Sequence, residues 1–232
     1  MRSGAMPDDA TLFLWLAVVA IGAYHGLNPA MGWPLAVANG LMQKRGTAVG
    51  LTFLPLGAGH LLAMTVVLVP VSLLSLLVTW DRPLRLGAGG LVILFGIWQL
   101  FSRRHPRWLA RIPPGRLLLW SLLMAMAHGA ALMLLPIVME LCVTSGDRVV
   151  QAAGPLAHEG AMRLIGSGIG TAIAVSLLHS TAMVASGIAV AWIVYRHVGL
   201  RCLNRAWLDL RWVWALSLIV SGTACVVMAQ AA

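Results

Sequence analysis

Charge is what this sequence has least of. Lys, Arg, Asp and Glu together supply 10% of its 232 residues, and only seven residues are acids. A soluble globular domain carries about 25% charged residues, so a water-facing fold of this length is excluded. Cysteine is scarce as well: Cys142, Cys202 and Cys225 are widely spaced, with no CxxC. That excludes a disulfide framework and a thiol redox pair. HExxH and GxSxG are both missing, and His158-Glu159 reads as an isolated loop pair. Neither metallopeptidase nor serine-hydrolase machinery is therefore expected, and the chain reads as a non-enzyme. The opening residues MRSGAMPDD hold one Arg against two Asp. A signal peptide needs a basic n-region, so the first apolar run is expected to be retained.

What is there is apolar. Hydrophobic residues make up 60% of the chain and the mean hydropathy is +0.88. Crossing about 30 Å of hydrocarbon takes roughly 20 helical residues. Six runs are candidates: Leu12–Met42, Thr47–Trp80, Leu86–Ser102, Leu117–Val143, Leu164–Tyr195 and Trp212–Ala231. The third is short, while the first, second and fifth are long enough to tilt, break or continue along the interface. The expected fold is all-α: a polytopic membrane protein of six transmembrane helices in one domain over residues 1–232.

Lys and Arg set the expected orientation. Lys44 and Arg45, then Arg103, Arg104, Arg107, Arg111 and Arg116, then Arg196, Arg201, Arg205 and Arg211 fall in alternate loops. The other side holds Arg2, Arg82, Arg85, Arg148 and Arg163, together with Asp8, Asp9, Asp81, Asp147 and Glu159. The positive-inside rule then places the first set in the cytoplasm and both termini outside, in a cell inner (plasma) membrane. The net charge of +9 is thus a topology signal. No nucleic-acid partner is expected, because the charges sit at helix ends and form no continuous surface. Trp80, Trp108, Trp207 and Trp212 fit an interfacial aromatic belt.

Histidine within hydrocarbon is costly and marks function by default. His105, His158 and His197 fall in predicted loops. His25, His60, His128 and His179 lie in runs one, two, four and five, each roughly 16–22 Å deep at 1.5 Å per residue. The contexts pair up. His60-Leu-Leu-Ala-Met64 and His179-Ser-Thr-Ala-Met183 are both HxxAM, with His and Met one turn apart on one face. His25-Gly26 precedes Met31 and Pro29, and His128-Gly129 precedes Met133 and Pro136. The order His-Gly then HxxAM occurs once in runs one to three and again in runs four to six. Three runs are an odd number, so the second copy enters from the opposite face. The reading is an inverted repeat, residues 11–102 and 117–231, with its site at the midplane.

Gly26, Asn28, Pro29, Gly32 and Pro34 interrupt run one, and Pro55, Gly57 and Gly59 precede His60. Such breaks free carbonyls that only protein or a water-filled cavity can satisfy. Gly87, Gly89, Gly90, Gly166, Gly168 and Gly170 are read instead as close-packing positions.

Neutral imidazole and thioether donors suit borderline and soft metals, nickel, cobalt, copper(I) or zinc, better than magnesium or calcium. The expected ligands are His25, His60, His128, His179, Met64 and Met183. Asn28, Met31, Met133, Glu140, Ser180 and Thr181 are placed along the substrate path or around it; Glu140 sits near the outer end of run four. The expected function is transport of a transition-metal cation as substrate, with no tightly bound cofactor. Two alternatives fit the same histidines: axial ligation of haem b in an electron-transfer protein, and a proton relay in an exporter of a small organic solute. The loops are too short for a soluble binding domain, which leaves room for a homo-oligomer or a separate membrane partner.

The three-plus-three organisation and the polar break in run one resemble the superfamily of nickel/cobalt permeases, lysine-type exporters and transmembrane thiol-disulfide conduits. In the permeases a histidine, four residues and Asp-His mark an early span. Here His25-Gly-Leu-Asn28-Pro-Ala-Met31-Gly is similar in placing a histidine and a polar partner within a turn. It departs by carrying Asn28 in place of the acid and no second histidine, which leaves the choice of metal open. The conduits carry a cysteine beside proline where this chain has His-Gly, so their redox activity is not expected.

Overall fold

The computed structural model describes residues 6–77, 81–101, 114–127, 129–153 and 157–198, with scattered positions between 215 and 230. Every element among the described residues is helical: α1 (Met6–Leu27), a 3-10 turn (Pro29–Met31), α2 (Trp33–Gln43), α3 (Gly46–Leu77), α4 (Asp81–Phe101), a 3-10 turn (Pro114–Arg116), α5 (Leu117–Ala127), α6 (Ala130–Ala153), α7 (Ala157–Ile193) and a wide-wound turn (Val194–Val198).

The polarity is that of a membrane protein, apolar outside and partly polar within. Leu12, Phe13 and Leu16 of α1, Leu51 and Leu54 of α3, Leu91, Leu94 and Phe101 of α4, and Leu177 and Ile193 of α7 are exposed. His25, His60, His179, Thr52, Ser176 and Ser180 are buried. Among the described residues two helices are long and apolar enough to cross a membrane, over Gly46–Leu73 and Ser167–His197. A third crossing results if Leu117–Met126 and Ala130–Cys142, bent by 63°, form one span.

These two or three crossings stand where six runs were expected. Run one is split, and its first part is a shorter apolar helix, Thr11–Leu27; run three yields Gly89–Trp98. Most of run six lies outside the described residues, although Ala215 and Leu218 are buried and Gly96 of α4 lies against Ala215 and Ile219. Helix α7 starts earlier than the apolar pattern does, so His158 and Glu159 belong to its first turn and not to a loop. His197, also expected in a loop, is exposed on the wide-wound turn. His105, Trp80, Trp108, Trp207, Trp212, Cys202 and Cys225 lie outside the described residues. Cys142 is a free, buried thiol.

The first break has a clear local cause. Pro29 disfavours the α region for the residue before it, and Asn28 is extended at φ −70, ψ 122. The Asn28 side chain then accepts from the Ala30 amide at 3.0 Å and caps the 3-10 turn. Gly32 takes φ +102, a left-handed conformation that glycine adopts at little cost, and Pro34 opens α2. Carbonyls freed here find donors: the Trp33 indole N–H donates to Leu27 at 3.0 Å, and Ser186 of α7 donates to Ala23 at 2.9 Å. The second break, between α5 and α6, turns on Gly129 at φ +67.

Helix α7 packs against α1, α2, α3 and α6. Gly22 and Gly26 of α1 make this approach possible. A Cβ at Gly22 would meet the His179 carbonyl and Ala182, and one at Gly26 would meet Ser186 and the Met183 carbonyl. The Gly22-x-x-x-Gly26 spacing is the small-residue pattern of tight membrane helix pairs. On α3, Gly59 lies against the Leu118 carbonyl and Ser121 of α5, and the Ser121 hydroxyl donates to Leu56 at 2.6 Å. The expected close-packing glycines behave differently. Gly89 packs against Gly222, but Gly87, Gly90 and Gly170 face open space among the described residues. The glycines beside the histidines, Gly22, Gly26 and Gly59, are among those that make tight contacts, as Gly40, Gly96 and Gly222 also do.

Candidate metal centre

Three of the four predicted histidines meet. His25 of α1, His60 of α3 and His179 of α7 are each fully buried. Their ring centres lie 6.0 Å apart for His25–His60, 4.8 Å for His25–His179 and 5.4 Å for His60–His179. His60 and His179 are stacked at 16°, and His25 meets both edge-on. Tyr24 adds an edge contact to His25 at 6.1 Å. The fourth histidine, His128, lies outside the described residues, between the end of α5 and Gly129.

The hydrogen bonds define what the rings offer. His25 Nδ1 is 2.8 Å from the Ile21 carbonyl. A carbonyl only accepts, so Nδ1 carries the proton and Nε2 holds the lone pair, the arrangement that orients a ligating imidazole. Among the described residues no side-chain or backbone group makes a well-formed hydrogen bond to either ring nitrogen of His60 or His179, the nearest approach being the Val18 backbone to His179. A buried polar group without a partner costs roughly 1–3 kcal/mol. Two such rings in contact therefore form an expensive arrangement, of the kind kept at functional sites. Ser180 is the exception on its helix: Ser176 and Thr181 bond the carbonyl four residues back, whereas the buried Ser180 hydroxyl has no partner.

Ring spacing and ring orientation point differently. With a metal–nitrogen bond of about 2.0–2.1 Å, a ligating imidazole has its centre about 3.2 Å from the ion, so two rings on one trigonal or tetrahedral ion have centres about 5.2–5.5 Å apart. The observed 4.8–6.0 Å brackets that distance. The rings meet edge-on and stacked, however, and among the described residues no three His, Cys, Asp or Glu side chains stand ready to hold an ion.

The predicted methionines divide. Met31 of the first break, Met133 of α6 and Met183 of α7 share one buried cluster, flanked by Tyr24 and Phe95. Met64, despite its HxxAM context, is buried in a separate apolar cluster with Leu68, Leu134 and Val138. Asn28 is only 7% exposed and spends its side-chain oxygen on the Ala30 amide, so it builds the break and does not face an ion as a donor. Thr181 is exposed on α7, turned away from the interior. Glu140 is half-buried on α6.

Two cavities lie along α3, on turns before and after His60, and none of His25, His60 and His179 lines either of them. One of about 210 Å³, lined by Asn39, Gln43, Thr52 and Pro55 among others, opens on the Lys44–Arg45 side. The other, about 120 Å³, is lined by Ala63, Val67, Ala125 and Gly129 at the second break. Polar hydrogen bonds line the first: Asn39 donates to Thr52 at 2.8 Å and Gln43 donates to Asn39 at 2.8 Å.

Residue patterns pointed to the histidines and the breaks but passed over the contacts that hold them. Gly22 was legible as the first half of a small-x-x-x-small pair. Ser186, which ties α7 to α1, and Trp33, which caps α1, left no sequence signal beyond their polarity. No protein family, no curated protein and no solved structure matches this chain.

Proposed function

We propose that this protein carries a transition-metal cation across a cell inner membrane, through a midplane site built on His25, His60 and His179. The observation that carries the reading is the mutual contact of three fully buried imidazoles from three separate helices. Neutral imidazole is a common transition-metal ligand, and an ion would take up nitrogens of His60 and His179 that have no well-formed hydrogen bond among the described residues. The stacked contact between those two rings favours an ion over haem b, because a macrocycle needs a slot between its axial ligands. The cavities at Thr52 and at Val67, on α3 turns before and after His60, do not reach the histidines but suit a site approached from two faces.

The proposed architecture is six spans in two inverted halves that rock about this site, with both termini outside. The two breaks support it. Gly32 accepts from Leu35 and Ala36 at 3.0 and 3.2 Å, and Gly129 accepts from Leu132 and Met133 at 3.0 and 3.4 Å. Each is a left-handed glycine opening the helix that follows. The two His-Gly pairs are less alike than their sequences: Gly26 lies within α1 and packs on α7, whereas Gly129 is itself the break. Because a ligating imidazole must be neutral, protonation of the histidines would drive release.

The test is metal analysis of the purified protein beside its visible spectrum. Stoichiometric metal that is lost in His60→Ala and His179→Ala supports the carrier. A Soret band would overturn it in favour of haem. Absence of both would pass the site to an organic solute and a histidine proton relay.

A further inference from the structure

We infer that the cargo is a soft univalent cation, Cu(I), and that Met31, Met133 and Met183 form a thioether station beside the imidazoles. This rests on the carrier reading above and names its substrate class. The first observation is charge. The fully buried polar side chains among the described residues are His25, Asn28, Thr52, His60, Ser72, Ser121, Ser176, His179 and Ser180, and Glu140, the one acid whose side chain is described, is half-buried on α6. The fully buried donors that an ion would meet here are neutral. The cost of moving an ion into a low-dielectric medium grows with the square of its charge, and is large even for a univalent ion. A divalent cation meets about four times the penalty on that scaling, with no carboxylate among the fully buried described side chains to offset it. A univalent one is the ion that a neutral donor set can hold.

The second observation is donor softness. Met31, Met133 and Met183 come from three elements, a break, α6 and α7, yet share one cluster. They are 4%, 5% and 1% exposed, respectively. Met183 lies one turn beyond His179 on the same helix face, both buried. Tyr24, which flanks the thioether cluster, also contacts the His25 ring, so the two donor groups adjoin. Thioether selects Cu(I) over harder divalent ions, and imidazole accepts it as well. The left-handed glycines supply the placement: Met31 immediately precedes Gly32, and the Met133 amide bonds the Gly129 carbonyl. Each break thus delivers one sulfur to the cluster, and α7 delivers the third. No redox step is involved, because the ion is bound and released in the Cu(I) state.

The experiment uses the full chain in nanodiscs and titrates Ag(I), a redox-inert stand-in, and Cu(I) under reducing conditions, each against a competing chelator. Ni(II) and Zn(II) are titrated in parallel. The variants are Met31→Leu, Met133→Leu and Met183→Leu, which conserve volume and apolarity, alongside His60→Ala with His179→Ala. The expected result is Ag(I) and Cu(I) binding that falls at least about tenfold in each Met→Leu variant, with sulfur scatterers in the copper X-ray absorption spectrum that the triple variant lacks. Histidine-dependent Ni(II) or Zn(II) binding, with Met→Leu silent, would overturn the Cu(I) assignment and leave the carrier standing. Metal binding untouched by the histidine variants, or no metal binding at all, would overturn both.

Discussion

At the scale of single residues, the glycines separate into two physical classes that composition alone does not distinguish. Gly26 is wedged between α1 and α7, where any side chain would run into Ser186 and the Met183 carbonyl. Gly87 and Gly90 on α4 meet nothing within 4 Å among the described residues. Overfilling a packed helix contact costs about 1–3 kcal/mol, whereas replacing an open glycine within a helix by alanine gains roughly 0.5–1 kcal/mol. Gly26→Ala is therefore expected to lower the thermal midpoint in detergent, and Gly87→Ala and Gly90→Ala to hold or raise it. Equal effects in all three would mean that the α1–α7 approach is not as close as described. Ser186→Ala removes the hydrogen bond to Ala23. Interhelical bonds of this kind average about 0.6 kcal/mol and reach about 1.7 kcal/mol, so a smaller loss than for Gly26→Ala is expected in the same melt.

At the scale of elements, the breaks were legible in part: the chain is interrupted at Asn28-Pro29 as read, whereas α3 runs unbroken from Gly46 to Leu77 through Pro55, Gly57 and Gly59, where a second interruption was expected. Asn28-Pro29, Gly32 and Pro34 announce an interruption by residue type, because each restricts the backbone in a known way. The spans were less legible, because hydropathy reports apolarity and not continuity. Thus Leu12–Met42 reads as one run although it forms two helices and a turn, and Leu117–Val143 conceals a 63° bend. The depth count set His25, His60 and His179 at one level, and their rings lie in mutual contact. Met64 packs in a different cluster, because a matching HxxAM motif fixes the face of one helix but not what packs against it. If the halves move about the site, the left-handed glycines are where the chain flexes. Alanine at Gly32 or Gly129 meets roughly 1–2 kcal/mol of left-handed strain, besides crowding Leu56 or Phe95. Both variants are expected to slow metal counterflow in proteoliposomes by more than they weaken equilibrium binding. A proportional loss of both would assign the glycines to holding the site together.

At the scale of the whole molecule, the reading turns on whether the two cavities along α3 open to opposite sides. Thr52 and Val67 stand 15 residues apart on α3, about 22 Å at 1.5 Å per residue, with His60 between them. Thr52 lines the cavity on the Lys44–Arg45 side and Val67 the one at the second break. On the proposed topology the first face is the cytoplasmic one. With Cys142, Cys202 and Cys225 replaced by serine, a membrane-impermeant thiol reagent on intact cells is expected to label Val67→Cys. Thr52→Cys should react only after permeabilisation. Labelling of both from one side would mean a single vestibule, and alternating access about His60 would fall. Reversal of the two would keep the carrier but invert its orientation. Saturating Ag(I) adds a second constraint. A rigid-body exchange opens one cavity as it closes the other, so the metal should change the two labelling rates in opposite directions. A change at one position alone would point to a local plug, leaving His25, His60 and His179 as a binding site without a transport cycle.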